Sequence, residues 1–593
     1  MRRQKNWIPA IIIGSLPIIW LAIKITPYAD QGLLSILSQL DRILGEKLFV
    51  FEWQGIRTLK AIVILLVVYF LAVLMYLSTR RNFRYMEEHG SARWGNPKEI
   101  NKKYYQKKNP NKILTQGVKM GYNTHKHRRN LNTVVIGGSG SGKSMFFAKP
   151  NILEASTSYF VLDPKGELLR DTGHYLEMQG YDIKVLDLLD MNNSYSYNPF
   201  VYLQSDLDVQ RLVTNLFANT TDKNSAKGEQ YWELAGQQLL MALVLYLWHE
   251  APPEEQNFGM VLEMIDAMEV KEEDENHISP IDILFERLKM RDPRHIALKY
   301  YRNFKKAAGK TAKSILTTLL THLDKFNLEE LVKLTLTDEM DLYSLGEKKT
   351  AIYAIIPDND KSFNFIVGML YTQLFQILYY QADKIHKGPL PVPVHIVMDE
   401  FANVALPDDF AALLSTMRSR NVLVSIIIQN LAQLKELFSK QWEGILSNCD
   451  SLLYLGSNEP AAFEYISKRL DKETIDTNSF SKSKGRNGSY STNSNTQGRD
   501  LLTPGEVGLL DNNYAILFIR GELPIEDHKY NVFKHPNIKH TPLAGGPAYS
   551  AGWDEDQYPS IMLDALALER SDVDLISDTE YICLTSEELE QLL

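Results

Sequence analysis

The stretch Leu131-Asn-Thr-Val-Val-Ile136-Gly137-Gly138-Ser139-Gly140-Ser141-Gly142-Lys143-Ser144 decides the fold. Leu131 to Ile136 reads as a short buried strand, and it runs straight into G-x-x-x-x-G-K-S followed by a helical stretch. Glycines let the backbone curl so that successive N–H groups and the helix N-terminus face one point in space, as a phosphate chain requires. Gly137, Gly138, Ser139, Gly140, Ser141 and Gly142 are therefore expected to form a phosphate cradle. Lys143 would reach the β and γ oxygens of ATP, and the Ser144 hydroxyl would take a position on Mg²⁺. A glycine-rich turn without chemistry is the competing reading, and the strand context argues against it.

A phosphate loop needs a second strand whose tip carries carboxylates. Val394-His-Ile-Val-Met398 is apolar and ends in Asp399-Glu400. Asp399 suits Mg²⁺, usually through water, and Glu400 suits polarising the attacking water. Alone this pairing is weak, because acidic residues often end strands; beside the loop motif it favours an ATPase of the additional-strand type over a GTPase or a kinase. A helix is expected over 408–419, then a strand from Val422 to Ile428 that ends in Gln429, a polar group placed to sense the γ-phosphate. Arg418 and Arg420 close that helix. A guanidinium there can pair with the helix C-terminus or reach transition-state charge on a neighbouring subunit, and the sequence leaves both open.

Further short apolar strands are expected at Ser158 to Leu162, Ile183 to Leu186, Thr350 to Ile356, Leu452 to Leu455 and Tyr514 to Ile519. Separated by helices, they describe a largely parallel sheet buried on both faces. From Leu207 to Tyr343 the spacing is helical instead, as in Ile315, Leu316, Leu319, Leu320 and Leu323, which predicts an all-α insertion. The run Leu239 to Trp248 is too short to span a bilayer and reads as a buried core helix. Ser479 to Gln497, rich in Ser, Asn, Gly and Lys, reads as an exposed surface loop.

Upstream, Trp7 to Ile23 and Ala61 to Leu77 are uncharged runs of seventeen residues, and each reaches the lower limit for a spanning helix. The first could be a signal peptide ending near Ala29, although Pro27 makes that site poor, so an uncleaved hairpin is expected. Arg2, Arg3 and Lys5 before the first run, with Arg80, Arg81 and Arg84 after the second, place both termini in the cytoplasm of a multi-pass cell-membrane protein.

The formal charge of -9 speaks at first against a polyanionic partner, but it is unevenly spread. Residues 551 to 593 hold twelve Asp or Glu against one Arg, so the first 550 residues carry the difference, +2. Between Arg80 and Arg129, fourteen Lys or Arg meet three Glu. This neck can meet anionic lipid or form a positive collar for a nucleic acid; lipid is favoured for its first ten residues, while His125-Lys-His-Arg-Arg129, next to the nucleotide motif, is less easily assigned to lipid. The acidic tail is a solubility device or a short amphipathic helix for a partner. Cys449 and Cys583 are far apart and exclude a disulfide framework or a zinc site.

Taken together the motifs resemble the VirD4/TraG family of type IV secretion coupling proteins, the conjugative DNA-transfer ATPases. The resemblance rests on the two apolar runs, Gly90-Ser-Ala-Arg-Trp-Gly95, the loop Gly137 to Ser144, and Asp163-Pro-Lys-Gly-Glu-Leu168. Asp399-Glu-Phe401, Gln429-Asn-Leu-Ala-Gln433 and Arg499-Asp-Leu-Leu-Thr-Pro504 complete it over roughly residues 1 to 535. It implies an α/β fold, a RecA-like P-loop nucleotide-binding domain with an inserted all-α domain behind a two-helix transmembrane anchor. The expected boundaries are 1–85 for the anchor, 86–206 with 344–535 for the split nucleotide domain, 207–343 for the insertion and 536–593 for the tail. It further implies a homo-hexamer and partners in a relaxase, its single-stranded DNA and the secretion channel proteins. Lys143, Glu400, Gln429 and, in trans, Arg418 would be catalytic, and Ser144 and Asp399 would hold the metal. An FtsK-type double-stranded DNA translocase and a nucleotide-binding membrane scaffold are the alternatives.

Overall fold

The computed structural model describes residues 8–31, 45, 52–79, 87–221, 230–268, 277–307, 309–357, 362–400, 410–438, 441–482 and 490–550. Arg2, Arg3, Arg80, Arg81 and Arg84 flanking the apolar runs, most of the loop between those runs and the acidic tail from 551 onward lie outside the described residues, and so do the expectations placed on them. The chain divides into two compact units, 1–91 with 474–498 and 92–473 with 499–593.

In the first unit, the apolar runs are helices, Ile8–Ile25 and Ile56–Thr79, each long and apolar enough to cross a membrane by length and composition. They pack on each other. The Tyr69 hydroxyl donates to the Ile11 carbonyl at 3.2 Å, and a Cβ on Gly14 would lie 2.3 Å from that hydroxyl, so glycine makes the notch that admits the ring. The other sides of both helices, with Ile13, Ile64, Leu71 and Leu74, are exposed.

Thirteen strands run along the described chain. β1 (Asn111–Ile113) and β2 (Lys119–Gly121) make an antiparallel hairpin. β3 (Thr133–Ile136), β4 (Ser158–Asp163), β5 (Asp182–Asp187), β6 (Thr350–Ile355), β7 (Val394–Met398), β8 (Val422–Ile428) and β9 (Ser451–Tyr454) follow. After them come β10 (Lys472–Lys482), β11 (Tyr490–Asp500), β12 (Tyr514–Ile519) and β13 (Ile525–His528). Nine of these form one sheet in the order β13-β12-β9-β3-β8-β7-β4-β6-β5. The seven strands from β9 to β5 are parallel to one another, and β12 and β13 add an antiparallel margin beside β9.

Successive residues of each strand point to opposite faces, and both faces are covered. Val134, Ile136, Phe160 and Leu162 enter one apolar core, while Val135, Tyr159 and Val161 enter the other. Between β5 and β6 every regular element among the described residues is helical, from Asp206–Thr220 to Glu329–Leu336. These helices share one continuous core with the first face of the sheet. Leu239, Leu240, Ala242, Leu243 and Val244 of the helix Gln230–Glu250 are fully buried there.

Two expectations need correction. The segment 479–497 is not simply a loop: β10 and β11 pair as a two-stranded ribbon, with residues 483–489 outside the described ones. Its base is tied within the first unit by the Thr474 hydroxyl, which accepts from the His89 and Gly90 backbone N–H at 3.0 and 3.1 Å. Beyond its base, where Thr474 is buried, the described side chains of the ribbon are largely exposed, so the sequence there needs no alternation of polar and apolar residues. The basic neck is also not uniformly outward. Lys112 in β1 is fully buried and donates to the Leu131 carbonyl at 2.7 Å, and burial pushes its pKa down to about 7.

Candidate functional site

In a parallel sheet, ligands gather beyond the carboxyl ends of the strands, where loops and helix N-termini converge. Here that edge carries the turn after β3, the tips of β4 and β7, Gln429 after β8 and the turn after β9. Between them lies a cavity of about 300 Å³ lined by Ser139, Gly140, Gly142, Lys143, Ser144, Asp163, Lys165, Asp399, Glu400 and Gln429, among others.

The glycine loop is fixed by its neighbours. Gly137 N–H donates to the Ile428 carbonyl at 3.1 Å, and Gly138 N–H to the Gly456 carbonyl at 2.8 Å, so the ends of β8 and β9 hold its start. Gly140 and Gly142 have φ of 75° and 81°, the left-handed region that L side chains rarely adopt. A Cβ on Gly142 would also lie 2.3 Å from the Phe146 ring. The loop enters a single π turn, Ser144–Ala148, and then the helical turn Lys149–Ile152. Lys149 makes a buried ion pair with Asp171 at 2.6 Å, joining this segment to the helix Glu167–Met178.

The Lys143 ammonium donates to the Gly138 carbonyl at 3.3 Å, within the loop itself. Burial holds its pKa below the ordinary lysine range, and the Asp399 and Glu400 charges oppose that. The Ser144 hydroxyl donates to Asp399 at 2.8 Å. Asp399 is 5 % exposed; burial raises its pKa, against the Ser144 hydrogen bond and the Lys143 charge. Glu400 adopts φ +51°, an uncommon conformation for a side chain of its kind, and its carboxylate accepts from the Gln429 amide at 2.6 Å. The strand carrying Gln429 lies between β3 and β7, so loop, carboxylates and amide occupy three adjacent strands.

Lys143, Ser144, Asp399, Glu400 and Gln429 are thus brought together with the glycine loop. Arg418 is not. It sits in the turn Met417–Arg420 before β8, whose first residue pairs at the end of the sheet opposite the glycine loop, and its side chain is exposed. Arg420, two residues on, is committed: it pairs with Asp383 through two hydrogen bonds of 2.9 and 2.7 Å and lies over the Tyr379 ring at 4.2 Å. The basic segment 125–129 also departs from expectation. Adjacent to the motif in sequence, it enters β3 from the far end, so the length of that strand separates it from the cradle.

The tip of β4 supplies residues that motif reasoning left without a role. Asp163 is 2 % exposed, and its carboxylate accepts from Leu169 N–H at 2.9 Å. Burial pushes its pKa up to about 6, although backbone N–H donors and the Asp399 charge act on it as well. Gly166, with φ +66°, makes the turn that places Lys165 and Glu167 at the cavity. The signal was an acidic residue ending an apolar strand, the same signal that marks Asp399.

Known proteins resemble this chain. A family model described as type IV secretory system conjugative DNA transfer matches residues 83–549. The chain is 24% identical to protein VirD4 of Agrobacterium fabrum over 475 residues, covering 76% of this chain and 67% of that protein. It is 23% identical to protein VirD4 of Rhizobium rhizogenes over 475 residues, covering 76% and 66%. Among solved structures, the bacterial conjugative coupling protein TrwB matches with a TM-score of 0.53 at 15% identity, over 75% of this chain and 94% of that one. TrwB in complex with ADP and Mg²⁺ matches with a TM-score of 0.53 at 15% identity, over 74% and 94%.

Proposed function

This chain belongs to the type IV secretory system conjugative DNA transfer family as a coupling protein of the VirD4/TraG type, and from that premise we propose that it hydrolyses ATP to drive DNA transfer. One observation carries the reading: the glycine loop, the Ser144–Asp399 hydrogen bond and the Glu400–Gln429 hydrogen bond converge on one cavity at one edge of the sheet. The β8 strand between β3 and β7 supports a RecA-like site of the additional-strand type.

The donor set suits a nucleoside triphosphate with Mg²⁺. Magnesium takes few protein oxygens and fills its shell with phosphate and water, and a serine hydroxyl 2.8 Å from a buried carboxylate offers such a foothold. When bound, the ion neutralises charge on the β and γ oxygens. The chain's own groups do the rest. Backbone N–H groups of the loop grip the phosphates, and Lys143 exchanges its carbonyl partner for phosphate oxygen. Glu400 orients and polarises the attacking water, and Gln429 fixes that carboxylate from the neighbouring strand while touching the γ-phosphate side. Arg418 is too far along the sheet to serve its own cavity, and its proposed role lies in a neighbouring copy, within the homo-hexameric ring that the resemblance to the VirD4/TraG family implies. The helices Ile8–Ile25 and Ile56–Thr79 anchor the ring in the cell membrane with both termini cytoplasmic. The cargo is a relaxase with single-stranded DNA, delivered to the secretion channel proteins.

Lys143→Ala tests the reading. ATP turnover and DNA transfer should both vanish while membrane insertion persists, and transfer at the wild-type level in this variant would sink it. Turnover stimulated by double-stranded but not single-stranded DNA would favour the FtsK-type alternative. Nucleotide binding without any turnover would favour a scaffold.

A further inference from the structure

Lys529 is 6 % exposed and takes no part in the catalytic assignments. It follows β13 directly, and because β13 runs parallel to β9 its end lies at the same edge as the glycine loop. Its ammonium donates to the Ser141 carbonyl at 3.0 Å and to the Asn512 side-chain oxygen at 2.8 Å, and lies 5.5 Å from the centre of the Phe146 ring. Burial pushes its pKa down to about 8, with the Asp511 charge opposing. A buried ammonium is unfavourable to maintain, and an apolar residue could tether two strand ends without that penalty.

Ser141 belongs to the cradle. Across a trans peptide the carbonyl of one residue and the N–H of the next point in opposite directions. A group that holds the Ser141 carbonyl from outside therefore turns the Gly142 N–H toward the cavity, where the phosphates would sit. Phe146 closes the remaining freedom: its ring lies against Gly142 so tightly that a Cβ there would meet it at 2.3 Å, and the same ring is beside the Lys529 ammonium.

We infer that Lys529 is a positioning residue for phosphate binding, which locks the Ser141–Gly142 peptide with its N–H facing the nucleotide and places a positive charge behind the loop. The inference rests on the nucleotide-binding reading of this cavity and deepens it. It also gives β12 and β13 a task, since they carry Asn512 and Lys529 to the loop from the margin of the sheet.

The test is calorimetric titration of the full-length protein with Mg·ADP, alongside steady-state ATP turnover and thermal unfolding. Lys529→Met should weaken ADP binding and raise KM for ATP by about tenfold, as expected for loss of a charge-assisted hydrogen bond, with kcat and Tm little changed. Asn512→Ala leaves the Ser141 contact in place and should weaken ADP by less than about threefold. Wild-type ADP affinity in Lys529→Met, or a fall in kcat and Tm at constant KM, would overturn the inference by showing a brace for the fold alone. If Lys529→Met fails to fold, Lys529→Gln carries the test, with weaker ADP binding at unchanged Tm supporting the inference and unchanged binding overturning it. Failure of the wild-type protein to bind Mg·ADP would remove the nucleotide reading, and this inference with it.

Discussion

The two ends of the parallel strands use polar residues in opposite ways. At the carboxyl end, Ser144, Asp399, Glu400 and Gln429 bond mainly to one another and turn toward a shared cavity. At the amino end several polar residues are committed to structure. Arg420 is held by Asp383, Arg520 pairs with Asp450 at 2.7 Å, and Asp450 also accepts from Asn130 N–H at 2.6 Å. Even His127, in the basic segment, uses its ring to bond the Gly121 carbonyl at 2.8 Å and to accept from Arg129 N–H. Chemistry is legible where polar groups face a cavity together, and it is absent where each charge already has its counterpart. Arg418 departs from that pattern, exposed beside a fully engaged Arg420.

Arg418 therefore offers the sharpest way to break this contrast. If it completes the site of a neighbouring copy, Arg418→Ala lowers kcat by about a thousandfold with nucleotide affinity retained. An unchanged kcat in the assembled protein would return the amino end to a purely structural role. At the carboxyl end, Asp163 tests the consequence of burying a carboxylate. Its pKa is about 6 in the folded chain against an ordinary 3.8, so the protonated form is preferred on folding. The associated stability is fully present below the ordinary value and is lost as pH rises through about 6. Asp163→Asn should thus raise stability at pH 7 by up to roughly 3 kcal/mol and flatten the fall between pH 4 and 6, measured by chemical denaturation across pH. The smallest effect is expected from Arg420→Ala. Its pair is partly exposed, so the loss should be no more than about 1 kcal/mol, with kcat unaffected.

Sequence reading located the cavity more readily than it located all its contributors. The glycine loop, Asp399 and Gln429 could be found because each is tied to a local pattern, an apolar strand ending in a specific polar residue. β7, β8 and β12 were legible residue for residue, since strands buried on both faces are continuous apolar runs. Lys529 could not be read, because its meaning depends on Ser141, far away in the chain and with two strands of the sheet between them. β13, with Glu526, Asp527 and His528 in four residues, lacks an apolar run because only Ile525 is buried. The β10–β11 ribbon was hidden for a related reason: its pairing satisfies backbone groups while burying few of the described side chains, and composition alone then resembles a loop.

The pairing of β3 has a consequence for how the molecule is made. Both neighbours of this four-residue strand, β8 and β9, come from far downstream, with Thr133 opposite Ser425 on one side and Ser451 on the other. During synthesis the strand that bears the glycine loop must wait with both edges unpaired until most of the chain has emerged. The cavity beside the glycine loop thus arrives late in the life of each nascent chain, long after the two apolar helices have been made, and a truncated chain would own the motif without owning the site.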